Sequence, residues 1–109
     1  MVRLGVALGG QRETFFGLTG AGDLMATAYG IWSRNRQLGE AVGKGASAAA
    51  LMEKAFTAEG YRASMALRVL ALKKDLEAPI LQEVAAILHD GRSPKESLER
   101  LMVRPLKAE

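Results

Sequence analysis

Residues 79–96 read Pro79-Ile80-Leu81-Gln82-Glu83-Val84-Ala85-Ala86-Ile87-Leu88-His89-Asp90-Gly91-Arg92-Ser93-Pro94-Lys95-Glu96. This stretch spells two helices and the stop between them. A proline sits well in a first helical turn, where its missing amide would have had no intrahelical acceptor, so Pro79 marks a start. Ile80, Val84, Ile87 and Leu88 fall at helical spacing and are expected to form a buried stripe. Gly91 supplies the stop. Ser93, Pro94 and Glu96 then combine a serine cap, a proline at the first helical position and a capping-box glutamate.

Working outward, the last helix is expected to bury Leu98, Leu101 and Met102 and to end before Pro105. On the other side, Thr57 to Glu59 reads as a joint, followed by a longer helix to about Leu76. Its inner face would carry Met65, Val69, Leu72 and Leu76. Ser47 is placed to cap a helix over Ala48 to Phe56. Ser33 is placed to cap one through Val42, closed by Gly43 or Gly45. Tyr29 to Trp32 reads as a loop and Asp23 to Ala28 as a short helix with Asp23 as N-cap. Gly17 to Gly22 reads as a glycine-rich loop, and Arg12 to Phe16 as one or two turns. Met1 to Leu8 reads as the end of a helix stopped at Gly9-Gly10. The chain opens inside this apolar pattern without a start signal, so a cut within an element is expected.

No segment alternates apolar and polar over strand length. The expected fold is all-α: one compact multi-helix domain over residues 1–109, with six or more helical segments. Composition agrees, with 49% apolar and 25% charged residues, which argues against disorder. The chain has no cysteine and one histidine, which excludes thiolate and two-histidine metal motifs. The net charge of +3 and a pI near 9.5 are mildly basic and do not by themselves imply nucleic acid. No run approaches the roughly 18 apolar residues of a membrane span, and the start lacks a signal-peptide layout.

Several residues carry chemistry. Gly20-Ala21-Gly22 does not make a dinucleotide fingerprint, because the third glycine would fall at Met25 and no strand precedes it. It reads instead as a tight turn, or as a place where another group approaches closely. Ser33-Arg34-Asn35-Arg36 is more informative. Two arginines in a first helical turn oppose the macrodipole unless an anion offsets them. Free amides, a hydroxyl, a carboxamide and guanidinium forks suit a phosphate. The residues alone leave open a solvated patch with a serine cap. Asp23 reads equally as a simple cap, Glu59 as a first-turn carboxylate that complements the dipole, and His89 as a structural imidazole at a helix end. Trp32, Phe15 and Phe16 read as core or interface aromatics.

The run Gly17-Leu18-Thr19-Gly20-Ala21-Gly22-Asp23-Leu24, followed by Thr27, Ser33-Arg34-Asn35-Arg36 and Gly39, resembles the bacterial glycerol-3-phosphate dehydrogenases. The resemblance continues through Glu59-Gly60-Tyr61 to Arg104-Pro105-Leu106-Lys107 and covers essentially the whole chain. It implies a C-terminal helical domain similar to that of 6-phosphogluconate dehydrogenase, truncated at its N-terminus. The family's Rossmann domain, with its cofactor glycine motif, and its general acid/base lysine would then lie upstream of Met1. By matched position, Asp23, Thr27, Ser33, Arg34 and Asn35 would bind substrate, and Arg34, Thr57 and Glu59 would contact NAD or NADP. The family often carries valine or isoleucine around Thr57 and Ala58, a departure at the Thr57 contact.

The resemblance further implies glycerol 3-phosphate or dihydroxyacetone phosphate as substrate and the enzyme's own Rossmann domain as partner. It implies a homo-oligomer, a cytoplasmic location, a role in glycerophospholipid precursor synthesis, and no metal, nucleic-acid or membrane partner. The fragment alone would be inactive. A reading from another class is a small basic helical module that binds nucleic-acid backbone or a partner protein. Interspersed acids such as Glu40, Glu53 and Glu59 weigh against it.

Overall fold

The computed structural model describes residues 1–54 and 56–105. Among these there is no strand. The order is α1 (Val2–Ala7), a 3-10 turn (Arg12–Phe16), a wider π-type turn (Leu18–Gly22), α2 (Asp23–Tyr29), α3 (Arg34–Gly43), α4 (Ala48–Glu53), α5 (Glu59–Lys73), α6 (Pro79–His89) and α7 (Pro94–Met102).

The local signals account for most boundaries. Ser33, Ser47 and Ser93 each adopt extended backbone and accept through Oγ from the amides of Arg36, Ala50 and Glu96. Pro79 and Pro94 open α6 and α7. Gly45 and Gly91 follow α3 and α6 with left-handed φ of 101° and 74°, which a side chain would resist. Within the run expected as a loop, Leu18–Gly22 is helical and only Gly17 is extended. The backbone of Phe15 approaches Gly20, and its ring lies against Gly5, so closely that neither glycine has room for a Cβ. Asp23 is not an N-cap: Gly22 precedes it and no side chain caps α2. Tyr29 belongs to α2. Helix α4 stops at Glu53, short of Phe56, and Ala55 lies outside the described residues. Helix α5 stops at Lys73, and Asp75 takes a left-handed φ of 50°, so Leu76 falls beyond the helix. Leu106 and Lys107 lie outside the described residues.

Two regions hold the fold together. In one, Leu38 and Val42 of α3 pack with Ala48 and Ala58, flanked by Leu51, Met52, Phe56, Tyr61, Ile87 and Leu88. In the other, α6 lies against α5 and α7, and the buried residues are small: Ser64 and Ala71, Ala85 and Ala86, Ser97. Small side chains let helix axes approach closely. The large aliphatics expected inside therefore stand on the outer faces. Met65, Val69 and Leu72 of α5, Ile80 and Val84 of α6, and Leu98 and Met102 of α7 are exposed, with Met102 at 76%. Ile87, Leu88 and Leu101 are half-buried. Trp32 and Phe16 are also exposed, so neither is a core aromatic, whereas Phe15 is half-buried.

Among the described residues one charge is inside. Glu83 is buried in α6 and accepts from Arg92 (2.8 Å) and from Arg100 of α7 (3.1 Å). The accessible surface of the chain is 7817 Å2, against roughly 5,900 Å2 for a compact monomer of 11.7 kDa. Its radius of gyration is 14.4 Å, against about 13 Å expected at this length.

Candidate functional site

The start of α3 and the start of α5 are drawn together by side chains from both. The Arg34 guanidinium donates from Nη1 to Thr57 Oγ1. The Gly60 amide, in the first turn of α5, donates to Asn35 Oδ1 at 2.9 Å. Ser33 Oγ accepts from Arg36 N at 3.3 Å, which closes the N-terminus of α3 and leaves the hydroxyl proton free to donate outward. Ser33, Arg34, Asn35 and Thr57 thus share one corner, and Glu59 sits at the first position of α5 beside them. Arg34 and Asn35 are both exposed at this corner.

Arg36 has a different task from Arg34. Its Nη1 donates to the carbonyls of Tyr29 (2.8 Å) and Ala28 (3.4 Å), and its Nε pairs with Glu40 (2.9 Å). The last carbonyls of a helix lack intrahelical donors and carry its negative end, so Arg36 caps α2 from the next helix. The expectation that both arginines await an anion is corrected here: the charge of Arg36 is already offset. Among the described residues Arg34, by contrast, meets only a neutral hydroxyl.

Asp23 and Thr27 are four residues apart on α2, on one exposed face. No hydrogen bond or ion pair among the described residues links either to the α3–α5 corner. Arg36 does tie the C-terminus of α2, next to Thr27, to α3. His89 is structural: its Nε2 lies 2.9 Å from Ser64 Oγ and 3.0 Å from the Tyr61 carbonyl, and its ring packs on Tyr61 at 4.4 Å. Gly60 went unassigned in the sequence. Its signal was a glycine in the first turn of a long helix, where its low helix propensity calls for a reason.

Asn35 also stands at the rim of an apolar groove of about 320 Å3 between α3 and α6, floored by Leu38, Val42, Ile87 and Leu88. Among the described residues no cluster of three or more potential metal ligands occurs. No helix there is long and apolar enough to cross a membrane.

Fold and corner together define a class: an all-helical domain that gathers a hydroxyl, a guanidinium and a carboxamide at paired helix starts. Residues 1–99 match the family model described as NAD-dependent glycerol-3-phosphate dehydrogenase C-terminus, and the chain belongs to that family. It is 47% identical to the glycerol-3-phosphate dehydrogenase [NAD(P)+] of Synechococcus elongatus, over 100% of this chain and 36% of that protein. It is 43% identical to the enzyme of the same name from Nitratidesulfovibrio vulgaris, over 100% of this chain and 33% of that protein. The crystal structure of glycerol-3-phosphate dehydrogenase from Coxiella burnetii superposes with a TM-score of 0.84 at 35% identity, over 94% of this chain and 32% of that one. The chain therefore spans about a third of the length of the curated relatives it matches.

Proposed function

We propose that residues 1–109 form the helical substrate-binding domain of a two-domain NAD(P)-dependent glycerol-3-phosphate dehydrogenase, which interconverts sn-glycerol 3-phosphate and dihydroxyacetone phosphate. The observation that carries this reading is the α3–α5 corner, where Arg34 is clasped to Thr57 and Asn35 to Gly60. Ser33, Arg34 and Asn35 bind the substrate phosphate. Two of these side chains are already held, Arg34 by Thr57 in the joint before α5 and Asn35 by Gly60 in its first turn, so little ordering remains to be done when the anion arrives. Asp23 and Thr27 line the same pocket from α2, and Asp23 binds substrate or orients the catalytic lysine of the upstream segment.

Arg34 spends one nitrogen on Thr57, and its other donors meet no acceptor among the described residues. That fits a second, phosphate-rich ligand, and Arg34, Thr57 and Glu59 contact the cofactor from this side. The cofactor, NAD or NADP, supplies or accepts the hydride at C2 of the substrate and is held mainly by a Rossmann domain. The contribution of this chain is positioning: a phosphate held in register fixes where C2 lies. The exposed aliphatics of α5, α6 and α7 support a domain that works packed against the Rossmann half and a second subunit. The enzyme is placed in the cytoplasm, at the step that supplies glycerophospholipid precursors.

Following NADH and NADPH absorbance with dihydroxyacetone phosphate tests the reading. The intact enzyme turns over and the isolated chain does not, since it carries neither cofactor fold nor general base. Turnover by the isolated chain, or none by the intact enzyme, would contradict it.

A further inference from the structure

The contact between Asn35 and Gly60 determines which end of the carboxamide is engaged by α5. The Gly60 amide is a donor, so the atom 2.9 Å from it is the carboxamide oxygen. Nδ2 is then the remaining donor of the carboxamide, and no acceptor among the described residues takes it. Asn35 follows Arg34 directly, at an exposed helix start where the first amides have no intrahelical acceptor and that of Arg36 is capped by Ser33.

Gly60 makes this seating possible. A Cβ there would lie 2.8 Å from Oδ1, 3.0 Å from Cγ and 3.3 Å from Nδ2 of Asn35. All three outer atoms of the carboxamide therefore rest on the face of Gly60 where a side chain would stand. A methyl group would push the carboxamide away. The carboxamide is the end of a short, exposed side chain, so that shift costs little stability while the position is lost. Alanine also favours a helix over glycine, so the substitution by itself leaves α5 as stable or more so.

The geometry points to Gly60 as a positioning residue: its bare Cα seats the Asn35 carboxamide on the first turn of α5 with Oδ1 engaged, and so leaves the Nδ2 donor for the substrate phosphate. The inference rests on the phosphate reading above and adds a residue that does not itself touch substrate.

Five variants of the intact dehydrogenase test it, read by KM for dihydroxyacetone phosphate and by Tm. Gly60→Ala raises KM about tenfold while Tm stays level or rises, a split that a merely structural defect would not produce. Asn35→Asp keeps an acceptor for the Gly60 amide and so keeps Tm, but it replaces the donor with a negative oxygen and raises KM at least about 30-fold. Asn35→Ala raises KM and lowers Tm. In that background Gly60→Ala has no further effect on KM, because the group it displaces is gone. Wild-type KM in Gly60→Ala, or effects of the two substitutions that simply multiply, would overturn the inference. Arg34→Ala separates the two levels. If it impairs KM while Gly60→Ala does not, only the positioning role fails; if Arg34→Ala leaves KM unchanged, the phosphate reading fails and takes this inference with it.

Discussion

Arg34 Nη1 donates to Thr57 Oγ1 across 23 residues of sequence, so the guanidinium at the start of α3 is aimed by the joint before α5. Thr57→Val removes that acceptor without changing the side-chain shape. A hydrogen bond to a charged group contributes about 1.5–3 kcal/mol when buried and less at this exposed corner, so KM for dihydroxyacetone phosphate should rise about 5- to 10-fold. Thr57→Ser should stay near wild type. Equal kinetics in Thr57→Val and wild type would show that the contact does not aim Arg34.

Arg36 sits two residues further along and should behave differently. Its guanidinium is spent on the Tyr29 carbonyl and on Glu40. Arg36→Met keeps the aliphatic stem and loses the cap on α2. The expected cost is about 1 kcal/mol, a Tm loss of about 5 °C, with KM changed less than about threefold. A large KM effect at unchanged Tm would make Arg36 a phosphate ligand after all.

These two arginines show where the sequence was legible. Ser33 announced the start of α3 through its own chemistry, as did Ser47, Ser93, Pro79 and Pro94 for their helices, because a cap is a local interaction. The family motif led to Ser33, Arg34, Asn35 and Thr57, and the structure brings them together. The task of Arg36 was not legible, since it depends on the end of α2 lying against α3. Nor was the inner face of α5, α6 and α7. Periodicity selected Met65, Val69, Leu72, Ile80, Val84, Leu98 and Met102, whereas close helix packing buries Ser64, Ala71, Ala85, Ala86 and Ser97. An apolar stripe gives the face that wants covering, and it does not say which partner covers it.

Glu83 makes stability pH-dependent. The hydrogen bond from Arg92 holds its carboxyl below the usual carboxylate range, burial opposes this, and Arg100 adds to the lowering. A carboxyl whose folded pKa is depressed contributes stability that is present above its unfolded pKa, near 4.3, and lost as pH falls through the folded value. Tm should therefore drop as pH falls below about 4.5, and Glu83→Gln should flatten that drop while lowering Tm at pH 7. An unchanged acid limb in Glu83→Gln would remove the pair from the account.

The outward aliphatics predict association. Leu72 is 65% exposed, Met102 is 76% exposed, and Ile80 and Val84 of α6 are exposed as well. Each large aliphatic left in water forgoes about 1.5–3 kcal/mol of burial, and a two-fold pairing of like faces is the simplest way to recover it. Sedimentation of the 109-residue chain at micromolar concentration should show dimers or larger species. A clean monomer would count against this.

In the proposed function Arg34 holds the phosphate of the substrate rather than its carbon skeleton. Comparing dihydroxyacetone phosphate with unphosphorylated dihydroxyacetone, in wild-type and Arg34→Ala intact enzyme, tests it most directly. A charge-assisted phosphate contact predicts that kcat/KM for the phosphorylated substrate falls at least about 100-fold, with Arg34→Lys recovering part of it. The same substitution should alter kcat/KM for dihydroxyacetone less than about threefold, so that the preference for phosphate collapses. Equal losses on both substrates, or none on either, would contradict the account.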